Sequence, residues 1–263
     1  MNDVQMKLDK RGLRINEVGI KNFIIPTKVQ VGESYQSTVS NVSCSIDLDK
    51  NYKGIHMSRL TNSLLNDWNG EINYLTINLL MERIKKICNC SNVNLIIKST
   101  IFLDKVSPVS KIKNLINYEI VHYCTLSDNN FHIELELKVP FTSLCPCSKE
   151  ISLYGAHNQR GLTNIKLQIS NQLDYKKIIS DVEECASSEL YSILKREDEK
   201  YVTEKAYNNP KFVEDMVRDI YKKLQKFKGV EILDIYVEHF ESIHNHNAFA
   251  KIINEGRDTK CQN

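Results

Sequence analysis

Period-two alternation of apolar and polar residues recurs along this chain. It limits the possible folds more than any other feature, because it describes strands with one buried and one wet face. Val42, Cys44, Ile46 and Leu48 alternate with polar residues, and so do Ile133, Leu135, Leu137 and Val139. Ile165 to Ile169 and Leu233 to Val237 repeat the pattern, and Val93 to Leu103 and Ile112 to Thr125 read as further strands. Ser127-Asp128-Asn129-Asn130 reads as a turn between two of them. Helical spacing is found instead in Ile72 to Ile87, in Ile178, Ile179, Val182, Ala186, Leu190 and Leu194, and in a shorter stretch over Ser58 to Asn66. A further helix is expected to start at Asn209-Pro210, with Asn as cap and Pro at the first helical position. Val213, Met216, Val217, Ile220 and Leu224 then form one face, and Glu214 falls in the first turn.

Strand, strand, helix, helix, strand, strand is the order up to about Thr125, and much the same order returns from Phe131 onward. This doubling predicts an α+β fold of two tandem units, residues 1–125 and 126–263, each an antiparallel sheet with helices on one face. Lys plus Arg number 35 against 33 for Asp plus Glu, a net charge of +2 that speaks against bulk binding to nucleic acid or an acidic membrane. Any anionic ligand must then be held by a local site. Apolar runs fall short of the ~18 to 20 residues that a membrane span needs, the first 18 residues are polar, and a cytoplasmic location is expected. In that compartment the eight cysteines are expected to be thiols.

The densest chemical signal is Thr142-Ser143-Leu144-Cys145-Pro146-Cys147-Ser148-Lys149 at the end of a strand, followed by a histidine in Gly155-Ala156-His157-Asn158-Gln159-Arg160. A thiolate and an imidazole on one loop suit a borderline-soft divalent metal, and the spacing fits an open catalytic site better than a zinc finger. In an extended segment two cysteines flanking one proline point to opposite sides, so one is expected to ligate while the other faces substrate. Packing is the plain alternative for both. Near the C-terminus, Glu241-Ser242-Ile243-His244-Asn245-His246 places a His-x-His pair beside a carboxylate, a group with acid, base or ligand capacity near neutral pH. The run Glu197 to Glu204 reads as a solvated stretch following the long helix, though it offers a carboxylate as third ligand. Glu214 would be favoured in a first helical turn by the helix dipole alone.

These strings resemble the prokaryotic GTP cyclohydrolase type IB family. Glu199-Lys200-Tyr201-Val202-Thr203-Glu204, Asn209-Pro210-Lys211-Phe212-Val213-Glu214-Asp215, Val18-Gly19-Ile20 and Gly54-Ile55-His56-Met57-Ser58-Arg59-Leu60 carry the likeness over nearly the whole chain. Phe141, Gly161 and Asn247 depart from the family's usual pattern. The resemblance implies a tunnelling fold, assembly into a homotetramer with active sites at subunit interfaces, and conversion of GTP and water to 7,8-dihydroneopterin triphosphate and formate. Carried over residue by residue, it implies a divalent metal ion (zinc, manganese or iron) held by Cys145, His157 and Glu199. It further implies catalytic roles for Cys147, Glu241, His244 and His246, and recognition of the guanine edge by Glu214. For the triphosphate, Arg160, Lys200, Lys205 and Arg218 are the candidate cations. Two other readings compete, a metal-independent nitrile reductase of the same fold and a zinc-stabilised binding module without catalysis, and an archaeal-type relative that makes a cyclic phosphate product is a closer variant. Against the first stands the Cys145 and His157 pair, and against the second the separated carboxylates Glu199 and Glu214.

Overall fold

The computed structural model of the protein describes residues 4–254, apart from residues 6 and 129. Nine strands form one sheet: β1 (Ile15–Val31), β2 (Ser34–Leu48), β3 (Glu71–Ile72), β4 (Asn92–Val106), β5 (Lys113–Ser127), β6 (Asn130–Leu144), β7 (Asn158–Ile169), β8 (Val230–His239) and β9 (Ala248–Ile253). Their order is β3-β1-β2-β4-β5-β6-β7-β8-β9, mostly antiparallel, with the short β3 parallel to β1. Six α-helices accompany them: α1 (Met57–Asn62), α2 (Tyr74–Cys88), α3 (Pro146–Ile151), α4 (Tyr175–Glu183), α5 (Arg196–Asn208) and α6 (Val213–Leu224). The α+β class expected from the alternation is therefore what the chain adopts. None of the described helices is long and apolar enough to cross a membrane.

Two compact units are built from interleaved segments. The first takes the chain up to Ile101 together with Ile120–Leu135 and Ile169–Leu173, and the second takes Phe102–Glu119, Glu136–Gln168 and the chain from Asp174 onward. In the first unit β2 pairs with β1 and β4, and Val42, Cys44 and Ile46 are buried along with Val93, Leu95 and Ile97. The helix α2 buries Ile77, Leu80, Met81 and Ile84, the three-and-four spacing read from the sequence. Gly19 sits between two register shifts of the β1/β2 ladder. A Cβ there would stand 2.6 Å from Ser45 Cα and closer still to the Cys44 carbonyl, so the bulge requires glycine.

In the second unit Leu137, Val139 and Phe141 of β6, Ile165 and Leu167 of β7, and Ile235 and Val237 of β8 are buried. Helix α6 closes this core with Met216, Val217, Ile220 and Leu224, packing on β8, β9 and α4.

Three local expectations need correction. Helix α4 stops at Glu183, so Leu190 and Leu194 are not on it. Past the helix, Ser188 exchanges backbone hydrogen bonds with Thr142 of β6 (2.9 and 3.2 Å), and the Ser187 hydroxyl accepts from the Leu144 N–H at 3.1 Å. Those bonds draw the chain into an extended path that the apolar spacing does not reveal. The charged run after it is helical itself, forming the start of α5. Asn209-Pro210 does not begin α6, which starts at Val213 behind Phe212, whose N–H is accepted by Asp215 at 3.2 Å. Asn209 instead donates to the Ala186 carbonyl at 2.7 Å.

Candidate active site

The end of β6, the start of β7 and the end of β8 are adjacent in the sheet order and supply most of the residues singled out above. Leu144 ends β6, and Cys145 is the N-cap of α3, with Pro146 and Cys147 as the first residues of the helix. The Cys-Pro-Cys segment is therefore not extended, as the opposite-side argument assumed. Proline at the first helical position lets the chain turn from strand to helix here, leaving Cys145 half-buried and Cys147 exposed. The Cys145 sulfur accepts from the Ser148 N–H at 3.5 Å, and the Ser148 hydroxyl bonds both the Cys145 carbonyl and the His157 N–H at 3.2 Å. A backbone bond from Cys145 N–H to the His157 carbonyl, 3.1 Å, ties the two ligand candidates together.

His157 is oriented from its other side. Its Nδ1 lies 2.9 Å from Gln159 Oε1 and 3.9 Å from Glu241 Oε2, while the Gln159 amide donates to Glu241 Oε1 at 3.5 Å. This is the arrangement in which an outer partner fixes the tautomer and leaves Nε2 available to a metal. Gln159 is 8% exposed and had no assigned role in the sequence reading. Glu241 is aligned by the backbone bond from Phe240 N–H to the Arg160 carbonyl, 2.9 Å, where the chain leaves β8 beside β7. His244 and His246 lie on the following exposed turn with rings stacked at 5.0 Å.

Glu214 is exposed in the first turn of α6. The segment preceding it is fastened to the strand that leads to Cys145: Lys211 N–H donates to the Leu144 carbonyl at 3.1 Å, and the Ser143 hydroxyl donates to the Lys211 carbonyl at 3.2 Å. The Lys149 ammonium adds a bond of 2.6 Å to the Tyr207 carbonyl. These links fix the base of α6 relative to the Cys-Pro-Cys turn.

Glu199 is exposed on the first turn of α5. That turn is anchored by the neighbouring Asp198, whose carboxylate accepts from Val109 N–H (2.8 Å), Ser110 N–H (2.9 Å), the Ser110 hydroxyl (2.6 Å) and Lys195 N–H (2.9 Å). Burial acts to raise the Asp198 pKa, but these donors outweigh it and hold the group well below the usual carboxylate range. Among the described residues, no group of three or more His, Cys, Asp or Glu side chains is arranged to hold a metal ion. Cys145 and His157 are thus brought together, and Glu199 is not added to them within one chain. Of the candidate cations, Arg160 and Arg218 are exposed, Lys200 makes a loose 3.8 Å pair with Glu204, and Lys205 is committed to Glu189.

Over residues 1–250 the sequence matches the family described as type I GTP cyclohydrolase folE2. It is 42% identical to GTP cyclohydrolase FolE2 of Geobacter sp. (strain M21), over 96% of this chain and 94% of that one. Its identity to GTP cyclohydrolase FolE2 of Neisseria meningitidis serogroup C is 40%, over 95% of this chain and 84% of that one. Among solved structures, uricase from Arthrobacter globiformis superposes with a TM-score of 0.53 at 10% identity, covering 92% of this chain and 95% of that chain. A highly active mutant of Bacillus sp. TB-90 urate oxidase gives 0.50 at 12% identity, over 91% of this chain and all of that one. These likenesses establish the tunnelling fold and nothing further.

Proposed function

This chain belongs to the type I GTP cyclohydrolase FolE2 family, and from that premise we propose that it converts GTP and water to 7,8-dihydroneopterin triphosphate and formate, the first step toward pterins and tetrahydrofolate. The observation that best supports the reading is the junction of β6 and β7. There a half-buried thiol and an oriented imidazole are tied together, with Glu241 against the imidazole. Such a donor set suits a divalent ion of borderline softness, whether zinc, manganese or iron. Cys145 and His157 would hold it, with Glu199 as third ligand. Completing the set requires a rearrangement of this chain or a second subunit, in keeping with a homotetramer whose sites form at interfaces. When bound, the metal supplies Lewis acidity that makes a water reactive toward C8 of the purine near neutral pH.

The chain's own residues do the rest. Glu214 accepts the ring N–H and one exocyclic N–H of guanine, two charge-assisted hydrogen bonds that adenine cannot offer. Glu241 faces His157 and is placed to hold or release a proton beside the reacting ring. Cys147, His244 and His246, all exposed on the turns around it, are suited by type to the proton transfers that accompany ring opening, sugar rearrangement and closure. Arg160, Lys200 and Arg218 are the cations offered to the triphosphate. We further propose a cytoplasmic enzyme whose doubled element order reflects two tandem tunnelling-fold modules, 1–125 and 126–263.

Purified protein incubated with GTP and a divalent metal should release formate and develop pterin fluorescence. Activity retained in full after chelation would refute the metal's role, and absence of both products with metal present would refute the assignment.

A further inference from the structure

The chemistry above gives Gln159 no step of its own, yet this residue joins two that have one. It is the second residue of β7 and is buried. Its side chain lies between those of His157 and Glu241, each 13% exposed. The amide Nε2 donates to Glu241 Oε1 at 3.5 Å, and Oε1 lies 2.9 Å from His157 Nδ1. A carboxylate accepts and does not donate, so the end of the amide facing Glu241 is its NH2 group and the end facing His157 is its carbonyl. Two acceptors repel, so His157 carries its proton on Nδ1 and its lone pair on Nε2. The Ser242 hydroxyl also approaches Nδ1, at 3.4 Å, but it is exposed and can donate as well as accept, so it does not choose a tautomer.

We propose that Gln159 is a positioning residue through which Glu241 sets the tautomer of His157: the carboxylate orients the amide, and the amide holds the proton on Nδ1, so that Nε2 is the nitrogen presented to a metal. The backbone supports this line of contacts. Phe240 N–H donates to the Arg160 carbonyl at 2.9 Å, which holds the residue before Glu241 beside the residue after Gln159. Burial of the amide limits competition from water and strengthens both of its bonds. A ring without that acceptor is free to take the other tautomer, in which Nε2 carries the proton and cannot ligate. The inference rests on His157 being a metal ligand.

Two measurements test it. In metal-free protein carrying nitrogen-15 histidine, at about pH 8 where an ordinary imidazole is neutral, the ring nitrogens of His157 report the tautomer by NMR, their signals being those lost in His157→Gln. The parent should carry the proton on Nδ1, and Gln159→Leu, which removes both ends of the amide, should lose that preference. Glu241→Ala leaves Gln159 in place and should weaken the preference too, so the test stands if Gln159→Leu does not fold. Titration with cobalt(II) against a competing chelator should show Gln159→Leu binding about 10- to 100-fold more weakly than the parent, with Gln159→Glu, which keeps an acceptor for Nδ1, binding more tightly than Gln159→Leu. Glu241→Ala should weaken binding in the parent and add little to Gln159→Leu. A parent His157 protonated on Nε2, a Gln159→Leu that binds cobalt(II) as tightly as the parent, or additive losses in the double variant would overturn the proposal. If His157→Gln binds cobalt(II) as well as the parent, the metal reading of the site fails and this role with it; if binding depends on His157 but not on Gln159, only the role of Gln159 fails.

Discussion

Replacing Gly161 with alanine tests the packing beneath the site. A Cβ at this position of β7 would stand 2.6 Å from Cε2 of Phe141, closer still to Cζ, and 2.7 Å from the Glu238 carbonyl oxygen. Ordinary carbon contacts need about 3.5 Å, so the ring would have to retreat by roughly 1 Å. It has little room, because Phe141 is wholly buried and lies edge-on to His239. Retreat of the ring would not relieve the second contact, which is with backbone of the neighbouring strand. Overpacking of this kind costs about 2–3 kcal/mol, which in a chain of this size lowers the melting temperature by about 5–10 °C. Phe141→Leu in the same background removes the ring atoms but not the carbonyl contact, so it should restore only part of the loss, a non-additivity expected of touching residues. Calorimetric melts of the parent, Gly161→Ala and the double variant at one protein concentration make the comparison. If Gly161→Ala melts within 1 °C of the parent (about 0.3 kcal/mol), the packing argument is wrong.

Glu214→Gln should lower kcat/KM for GTP by about 10²-fold, because the amide turns one acceptor into a donor facing a donor, and should leave the melt almost unchanged since the side chain is exposed. Near-parental turnover with a lowered melting point would return Glu214 to a helix-dipole role. Cys145→Ala should lose its divalent metal by elemental analysis while keeping its fold, and metal retained at the parent's level would refute the ligand assignment. Acidification should destabilise the protein between pH 6.5 and 4. His122 and His239 are both buried with pKa values pushed by burial from 6.5 to about 4, so in that window the unfolded chain binds the extra protons. At pH 5 each histidine removes about 2 kcal/mol relative to neutral pH, and a urea midpoint equal at pH 7 and pH 5 would contradict this.

The sheet was legible because alternation is local: a strand with one buried face must write that face into every second residue, and β2, β4, β6, β7 and β8 contain the segments so read, while β5 begins one residue later than its segment, at Lys113. Helix ends were less legible, because here they are decided by partners distant in sequence. Nothing near Ala186 tells that Ser187 and Ser188 will bond to Leu144 and Thr142, yet those bonds end the apolar pattern shared by Leu190 and Leu194. Likewise Asn209-Pro210 has the residue types of a helix start, but Lys211 bonded to Leu144 and Ser143 keeps that segment off the helix. Local propensity lost to tertiary hydrogen bonding in both cases.

The site shows the same division. Cys145 and His157 were read together on one loop and Glu241 in a separate string, and their meeting follows from β6, β7 and β8 being neighbours whose relevant ends coincide. His239 was within reach of the same reasoning, since Ile235 and Val237 are buried and the next position of that face is a histidine, an unusual residue to bury. What no periodicity could supply is its setting, with Ser143 of β6 at 3.3 Å from Nδ1 and Phe141 edge-on to the ring. Phe141 and Gly161, two of the three departures noted in the sequence, prove to be one feature: the ring occupies the space that a side chain at 161 would need. That ring also packs edge-on against His239, so the two departures together set the plane of a buried imidazole two residues before Glu241.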